Sequence, residues 1–306
     1  MENISKEKFQ IIGVDKNEGE RIARPHISYM QDAWRRFRQN KTALIAFIIL
    51  VAIIFMCVFG PAISGYAFEE VDKGAVNKAP SSEHWFGTDK LGRDIFARVW
   101  VGGRVSMIIG LAGALISSIV GCIYGGVAAY FGGTVDSIMM RIVEVLISIP
   151  YLIVVILMSV VLGSSGIFTL LLAMTMTGWC GTARLVRGQM LQIKSQEYIM
   201  AAKGLGVPPS RIILKHMIPN TLNVIIVSVT FAIPNYIFSE AFLSYLGLGI
   251  QPPNTSWGAL ANAAQAQFLF YPYQLFFPAL MIALTMLSYT LMGDGLRDAL
   301  DPKLRK

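Results

Sequence analysis

Charged residues are scarce in this 306-residue chain, at 15% Asp, Glu, Lys and Arg. A typical soluble domain carries about 25%, so an ordinary soluble fold is excluded. Histidine and cysteine are rarer still, with three of each. His26, His84 and His216 are far apart and match no metal-ligand spacing. Cys57, Cys122 and Cys180 lie in or beside apolar blocks. An odd number so placed makes no disulfide framework, and they read as small hydrophobes.

Signatures of chemistry are also missing. There is no GxxxxGK[ST] phosphate loop, so the chain should not bind ATP by that route. There is no HExxH and no GxSxG, and "MGDG" at 292–295 is not the GxGD of intramembrane aspartyl proteases. A hydrolase would need a nucleophile and base, a metal, or paired carboxylates. The ten-residue alternating strands of a membrane β-barrel are absent. A secondary transporter or channel would more often place ionisable residues at mid-membrane, whereas most here lie in loops or near span ends.

What is abundant is apolar sequence: 54% hydrophobic residues and a mean hydropathy of +0.56. It comes in blocks of bilayer-crossing length, about 17–25 residues. Six blocks can be drawn, near 42–63, 103–130, 142–162, 166–183, 221–246 and 275–292. All are expected to be helices, because an isolated span must satisfy its own backbone hydrogen bonds. Gly121 and Gly125 in the second block form a small-xxx-small pair suited to close helix packing. Pro150 and Pro234 are expected to kink the third and fifth spans, and Trp85, Trp100, Trp257, Tyr271 and Tyr273 to belong to the outer interface.

Positive charge sets the orientation. Arg35, Arg36, Arg38 and Lys41 precede the first span. Arg184, Arg187, Lys194, Lys203, Arg211 and Lys215 follow the fourth, and Arg297, Lys303, Arg305 and Lys306 close the chain. The third-to-fourth and fifth-to-sixth connections contain no Lys or Arg. The positive-inside rule then makes both termini and the 184–219 loop cytoplasmic. The organisation expected is a cytoplasmic tail at 1–41, a first span at 42–63 and an extracytoplasmic loop at 64–101. A five-helix core at 102–293 and a cytoplasmic tail at 294–306 follow. The net charge of +7 is explained by this topology and needs no nucleic-acid partner. The first span is too long for a signal-peptide core and is preceded by a polar segment. In that segment Ile27, Met30, Trp34 and Phe37 fall near one helical face. It reads as an amphipathic helix in the inner interface, or as a plain extension of the first span.

The stretch "EYIMAAKGLGVPPSRIILKHMIPN" at 197–220 interrupts the apolar sequence. Tyr198, Ala201, Ala202 and Leu205 are spaced to share one face of a short helix. Gly204 and Gly206 are expected to end it, and Pro208 and Pro209 to open a second helix with Ile212, Ile213, His216 and Met217 on its apolar side. Pro219 is expected to separate this knob from span five. Periodicity alone leaves two readings open, a docking knob or a loop that only reverses the chain.

This stretch resembles the EAA loop of ABC-importer permeases: Glu-Ala-Ala, three residues, Gly, nine residues, Ile-x-Leu-Pro. Ala201, Ala202, Gly206 and Pro219 match at that spacing. Met200 stands at the motif's Glu, His216 at its Ile and Ile218 at its Leu, with Glu197 one turn earlier as a substitute acid. "HWFGTDKLGRDIFARVWVGGRVS" at 84–106, "EAFLSYLGLG" at 240–249 and "GDGLRDALDPKLRK" at 293–306 resemble the peptide and nickel branch of that family. The N-terminal part is similar to the C-type subunit of oligopeptide permeases.

The resemblance implies an all-α, six-span type I ABC-importer permease of a bacterial cytoplasmic membrane. It implies transport of oligopeptides, or of dipeptides or nickel. The partners implied are a homologous B-type permease, two cytoplasmic ATPases that bind ATP and Mg, an extracytoplasmic peptide-binding protein and the bilayer. This chain itself would hold no cofactor. The coupling residues implied are Glu197, Tyr198, Ala201, Ala202, Gly204, Gly206, His216 and Pro219.

Glu240 is the only acid in span five. About twenty residues at 1.5 Å each put it roughly 30 Å from the cytoplasmic end. Arg104 begins span two at the same outer level. Two readings stand: an Arg104–Glu240 pair joining helix ends, or a Glu240 that faces the pathway and meets a peptide amino terminus.

Overall fold

A computed structural model describes residues 28–162 and 166–301. Among these residues the architecture is helical, and extended pairing is limited to one isolated antiparallel bridge between Thr88 and Asp94. Helix α1 (Tyr29–Gln39) is followed by α2 (Lys41–Ser64). Asn40, in extended conformation, breaks the two, and its side chain accepts from Ala43 N at 3.2 Å to cap α2. The face of α1 that carries Ala33 and Phe37 is buried. Phe37 packs with Ala43 and Ala299 and meets Phe47 edge-on, while Met30 and Trp34 stay exposed. The amphipathic pattern is therefore used partly for internal packing. Ile27 lies outside the described residues.

Helix α3 (Ile95–Phe131) begins well before the expected 103, because Asp94 caps it by accepting from Ala97 N at 2.8 Å. It ends at Gly132, whose φ of +69° an L side chain would rarely adopt. Helices α4 (Gly133–Ser148) and α5 (Tyr151–Leu162) meet at an 84° bend. Pro150 lacks an N–H and drives Ile149 into extended conformation, so a break replaces the expected kink. Helix α6 (Ile167–Lys194) runs along α3, and α7 (Glu197–Gly204) is a short helix beyond it. Helix α8 (Pro209–Tyr245) includes a π-helical stretch at Ile212–Met217. Helices α9 (Trp257–Gln265) and α10 (Tyr273–Leu300) complete the order.

Helices α2, α3, α8 and α10 are each long and apolar enough to cross a membrane, and the bent α4–α5 pair makes a fifth span if it is one. The fourth expected block falls in α6, where Thr175, Thr177, Gly178, Gly181, Thr182 and Arg184 dilute the apolar run. Glycines bring α3 close to its neighbours. A Cβ on Gly110 would sit 2.4 Å from Ile237 Cγ1 of α8, and one on Gly125 would sit 2.4 Å from the Ala183 carbonyl of α6. The packing reading of Gly121 and Gly125 holds, since both press on α6.

The 65–94 connection is a built cap. Gln274 Nε2 of α10 donates to Asn77 Oδ1 at 2.9 Å and to the Thr88 carbonyl at 3.0 Å. Tyr273 donates to the Lys78 carbonyl at 2.9 Å. His84 Nδ1 and Asp94 Oδ2 lie 2.9 Å apart, both buried.

Candidate functional site

The knob is assembled from α7 and the start of α8. Ile199 is the anchor of α7, buried with Ile212, Ile213 and Met217 of α8 and Val186 and Met190 of α6. Ala202 and Val207 pack partly against the same cluster. Burying Ile199 fixes which face of α7 looks out: Tyr198, Met200, Ala201 and Leu205, the last 84% exposed. The four residues expected on one face therefore divide, with Ala202 turned toward the core.

The turn after α7 follows the expected chemistry. Leu205 N donates to Ala201 O at 2.9 Å, Gly206 adopts a φ of +74°, and Val207 N returns to Ala202 O at 3.1 Å. Pro208 precedes α8 and Pro209 is its first residue. A Cβ at Gly204 or Gly206 meets nothing within 4 Å, so both sit on open surface. Glu197 is exposed, His216 is half-buried and Pro219 is exposed.

Pro219 does not separate the knob from the following helix, contrary to the expectation. It has no N–H for the Lys215 carbonyl, and its ring crowds that carbonyl in an α-turn. The wider π turn at Ile212–Met217 lies directly before it and accommodates the misfit, so the helix runs on unbroken. The half of the knob that begins at Pro209 is thus continuous with the rest of α8. At its base, Arg187 of α6 makes a two-pronged bond to Asp136 of α4, both contacts 2.5 Å, and Lys194 donates to the Ala129 carbonyl of α3 at 3.0 Å.

The far end of α8 holds Glu240, with no exposed surface. Ser106 of α3 donates to its Oε2 at 2.7 Å, and Ser244 donates to its Oε1 at 2.7 Å. The Trp257 backbone N–H reaches Ser106 Oγ at 3.3 Å and Ile250 N–H reaches Ser244 Oγ at 3.2 Å. Trp257 is fully buried, and its indole donates to the Val99 carbonyl at 2.8 Å. Glu240 is thus the hub of a polar cluster joining α3, α8 and the α8–α9 connection.

Arg104 is not its partner. The Arg104 guanidinium bonds the carbonyls of Cys57 and Val58 on α2. Residue counting put the two at the same level, but Arg104 turns to α2 while Glu240 is held by Ser106 and Ser244. Nor does Glu240 present itself to a pathway in this conformation, since serines enclose it. The serine cluster and α9 escaped the sequence reading. The available signals were Ser256 as the N-cap of α9, accepting from Ala259 N at 3.1 Å, and Gly258, where a Cβ would lie 2.4 Å from the Ala241 carbonyl.

Two family profiles match parts of the chain. Residues 105–306 match the family described as "Binding-protein-dependent transport system inner membrane component". The chain belongs to this family. Residues 28–80 match the "N-terminal TM domain of oligopeptide transport permease C". Among similar proteins, the oligopeptide transport system permease protein OppC of Bacillus subtilis is 48% identical over 306 residues, covering all of both chains. The dipeptide transport system permease protein DppC of the same organism is 50% identical, over 98% of this chain and 94% of its own. OppC of Escherichia coli K12 is 42% identical over 95% of this chain and 96% of its own. The MetNI methionine ABC transporter contains a chain of the same fold, with a TM-score of 0.54 and 18% identity over 67% of this chain and 96% of that one.

Proposed function

We propose that this chain is the C-type permease subunit of an ATP-driven importer of oligopeptides. It forms half of the translocation path and couples that path to cytoplasmic ATPases through the knob. The observation that carries the reading is the division of α7: an inward face anchored by Ile199 and an outward face of Tyr198, Met200, Ala201 and Leu205. A rigid base with an exposed apolar tip suits docking into a cleft. Because half of the knob is continuous with α8, a push on it moves the helix that holds Glu240.

The partners in this reading are a homologous B-type permease, two ATPases that hold ATP and Mg, and an extracytoplasmic peptide-binding protein. The chain crosses a bacterial cell membrane six times, with α6 as a span and both termini cytoplasmic. The positive charges after α6 support that orientation. The dipeptide alternative is supported by the 50% identity to DppC.

The test is reconstitution of the chain with a B-type permease, two ATPases and a binding protein in liposomes. Import of tri- to pentapeptides driven by ATP is expected. Import of dipeptides alone would favour the alternative, and ATPases that fail to co-purify would overturn the coupling assignment.

A further inference from the structure

Helix α4 divides its surface into three sectors. One packs on the chain itself, through buried Asp136 and Val143. A second is apolar and exposed, formed by Ile138, Ile142 and Val145. The third is polar and exposed: Thr134, Ser137, Arg141, Glu144 and Ser148. Their spacings of three, four, three and four residues put them in one row along the helix. At the centre of the row Arg141 Nη1 donates to Glu144 Oε2 at 2.8 Å, with the side chains 78% and 50% exposed.

The two charges stand eight and eleven residues into α4, or about 12–17 Å at 1.5 Å per residue. The helix itself starts where α3 ends, beside the basic residues Arg187 and Lys194. On the positive-inside reading that start is cytoplasmic, and an α4 that runs from there into the bilayer carries the pair to membrane depth. Charged side chains at such depth face a bundle interior or a water-filled cavity. The adjacent apolar sector supplies the lipid-compatible surface, so the polar row is turned away from lipid. A free peptide carries one positive and one negative end, and the row offers one charge of each sign.

We infer that the polar row of α4 lines the water-filled path and that its ion pair receives the peptide's ends, Glu144 the ammonium and Arg141 the terminal carboxylate. This rests on the peptide-importer reading above, so import of trialanine by the parent complex is measured first. A parent that imports no peptide overturns that underlying reading.

The complete reconstituted transporter, with its three native cysteines replaced, then carries single cysteines. Ser137→Cys and Ser148→Cys should react with a charged water-soluble thiol reagent at least tenfold faster than Ile138→Cys and Ile142→Cys. Trialanine should slow them during turnover. Unreactive cysteines at Ser137 and Ser148 would mean that a second permease covers the row, and would overturn the inference even where a charge variant fails to assemble. In the second arm, Glu144→Gln should lower import of trialanine relative to N-acetyl-trialanine at least fivefold against the parent's ratio. Equal loss for both peptides, or no loss for either, would overturn the assignment.

Discussion

The Ser106 hydroxyl donates to the Glu240 carboxylate at 2.7 Å, tying α3 to α8 across 134 positions of sequence. Ser244 serves the other carboxylate oxygen. Losing one buried partner leaves the other unsatisfied, at about 1–3 kcal/mol. Ser106→Ala should therefore lower the Tm of the detergent-solubilised complex by several degrees, and Glu240→Ala by more. The exchange Arg104→Glu with Glu240→Arg should give no rescue, because the two residues share no bond. Recovery of Tm by the double exchange would contradict the geometry.

The division of α7 predicts separable effects on one helix. Ala201→Trp and Leu205→Asp alter the outward face and should change stability by no more than about 0.5 kcal/mol, as surface substitutions do. Both should cut ATP-driven uptake at least tenfold by blocking or charging the docking face. Ile199→Asp places a charge in the Ile212–Ile213–Met217 cluster and should lose the fold of the knob, seen as rapid proteolysis at 197–217. Ala202→Trp is a poorer probe, because Ala202 faces the core.

Much of this was legible in the sequence. Helix-forming blocks, the Gly206 turn and the Pro208–Pro209 start are local, and local chemistry dictates them. Tertiary placement was not. Residue counting put Arg104 and Glu240 at one level, and counting says nothing of which neighbour each side chain meets. Ile199 went unnoticed because the face defined by Tyr198, Ala201, Ala202 and Leu205 is also helically periodic, and only the neighbouring α6 decides which face is buried. The π turn was hidden because it answers a conflict between Pro219 and a helix that packing keeps continuous. The cap at 65–94 depends on bonds from Gln274, almost two hundred residues away, which no window of sequence contains.

Glycines that look alike in sequence should behave differently. A Cβ at Gly125 would meet the Ala183 carbonyl at 2.4 Å, whereas one at Gly188 meets nothing within 4 Å. Gly125→Ala forces α3 and α6 apart, and overpacking of this kind typically costs about 1–3 kcal/mol. Gly188→Ala should be neutral or stabilising by up to about 1 kcal/mol, since alanine restricts the unfolded chain. Thermal denaturation of the two variants, followed by aggregation of the solubilised complex, checks the difference.

Topology turns on α6, and parity makes it testable. Between Arg38 in α1 and Ser210 at the start of α8 lie α2, α3, the bent α4–α5 pair and α6. Four crossings put both residues on one side, and three would put them on opposite sides. Arg38 and Ser210 are exposed, as is Leu269 between α9 and α10. Cys57, Cys122 and Cys180 are buried, so labelling background should be low. Ser165, otherwise a natural external probe, lies outside the described residues. In intact cells an impermeant maleimide should label Leu269→Cys but neither Arg38→Cys nor Ser210→Cys, and permeabilisation should expose both. If Ser210→Cys labels from outside while Arg38→Cys does not, α6 does not cross. The knob would then face away from any cytoplasmic ATPase, and the coupling assignment would fall with the six-span topology.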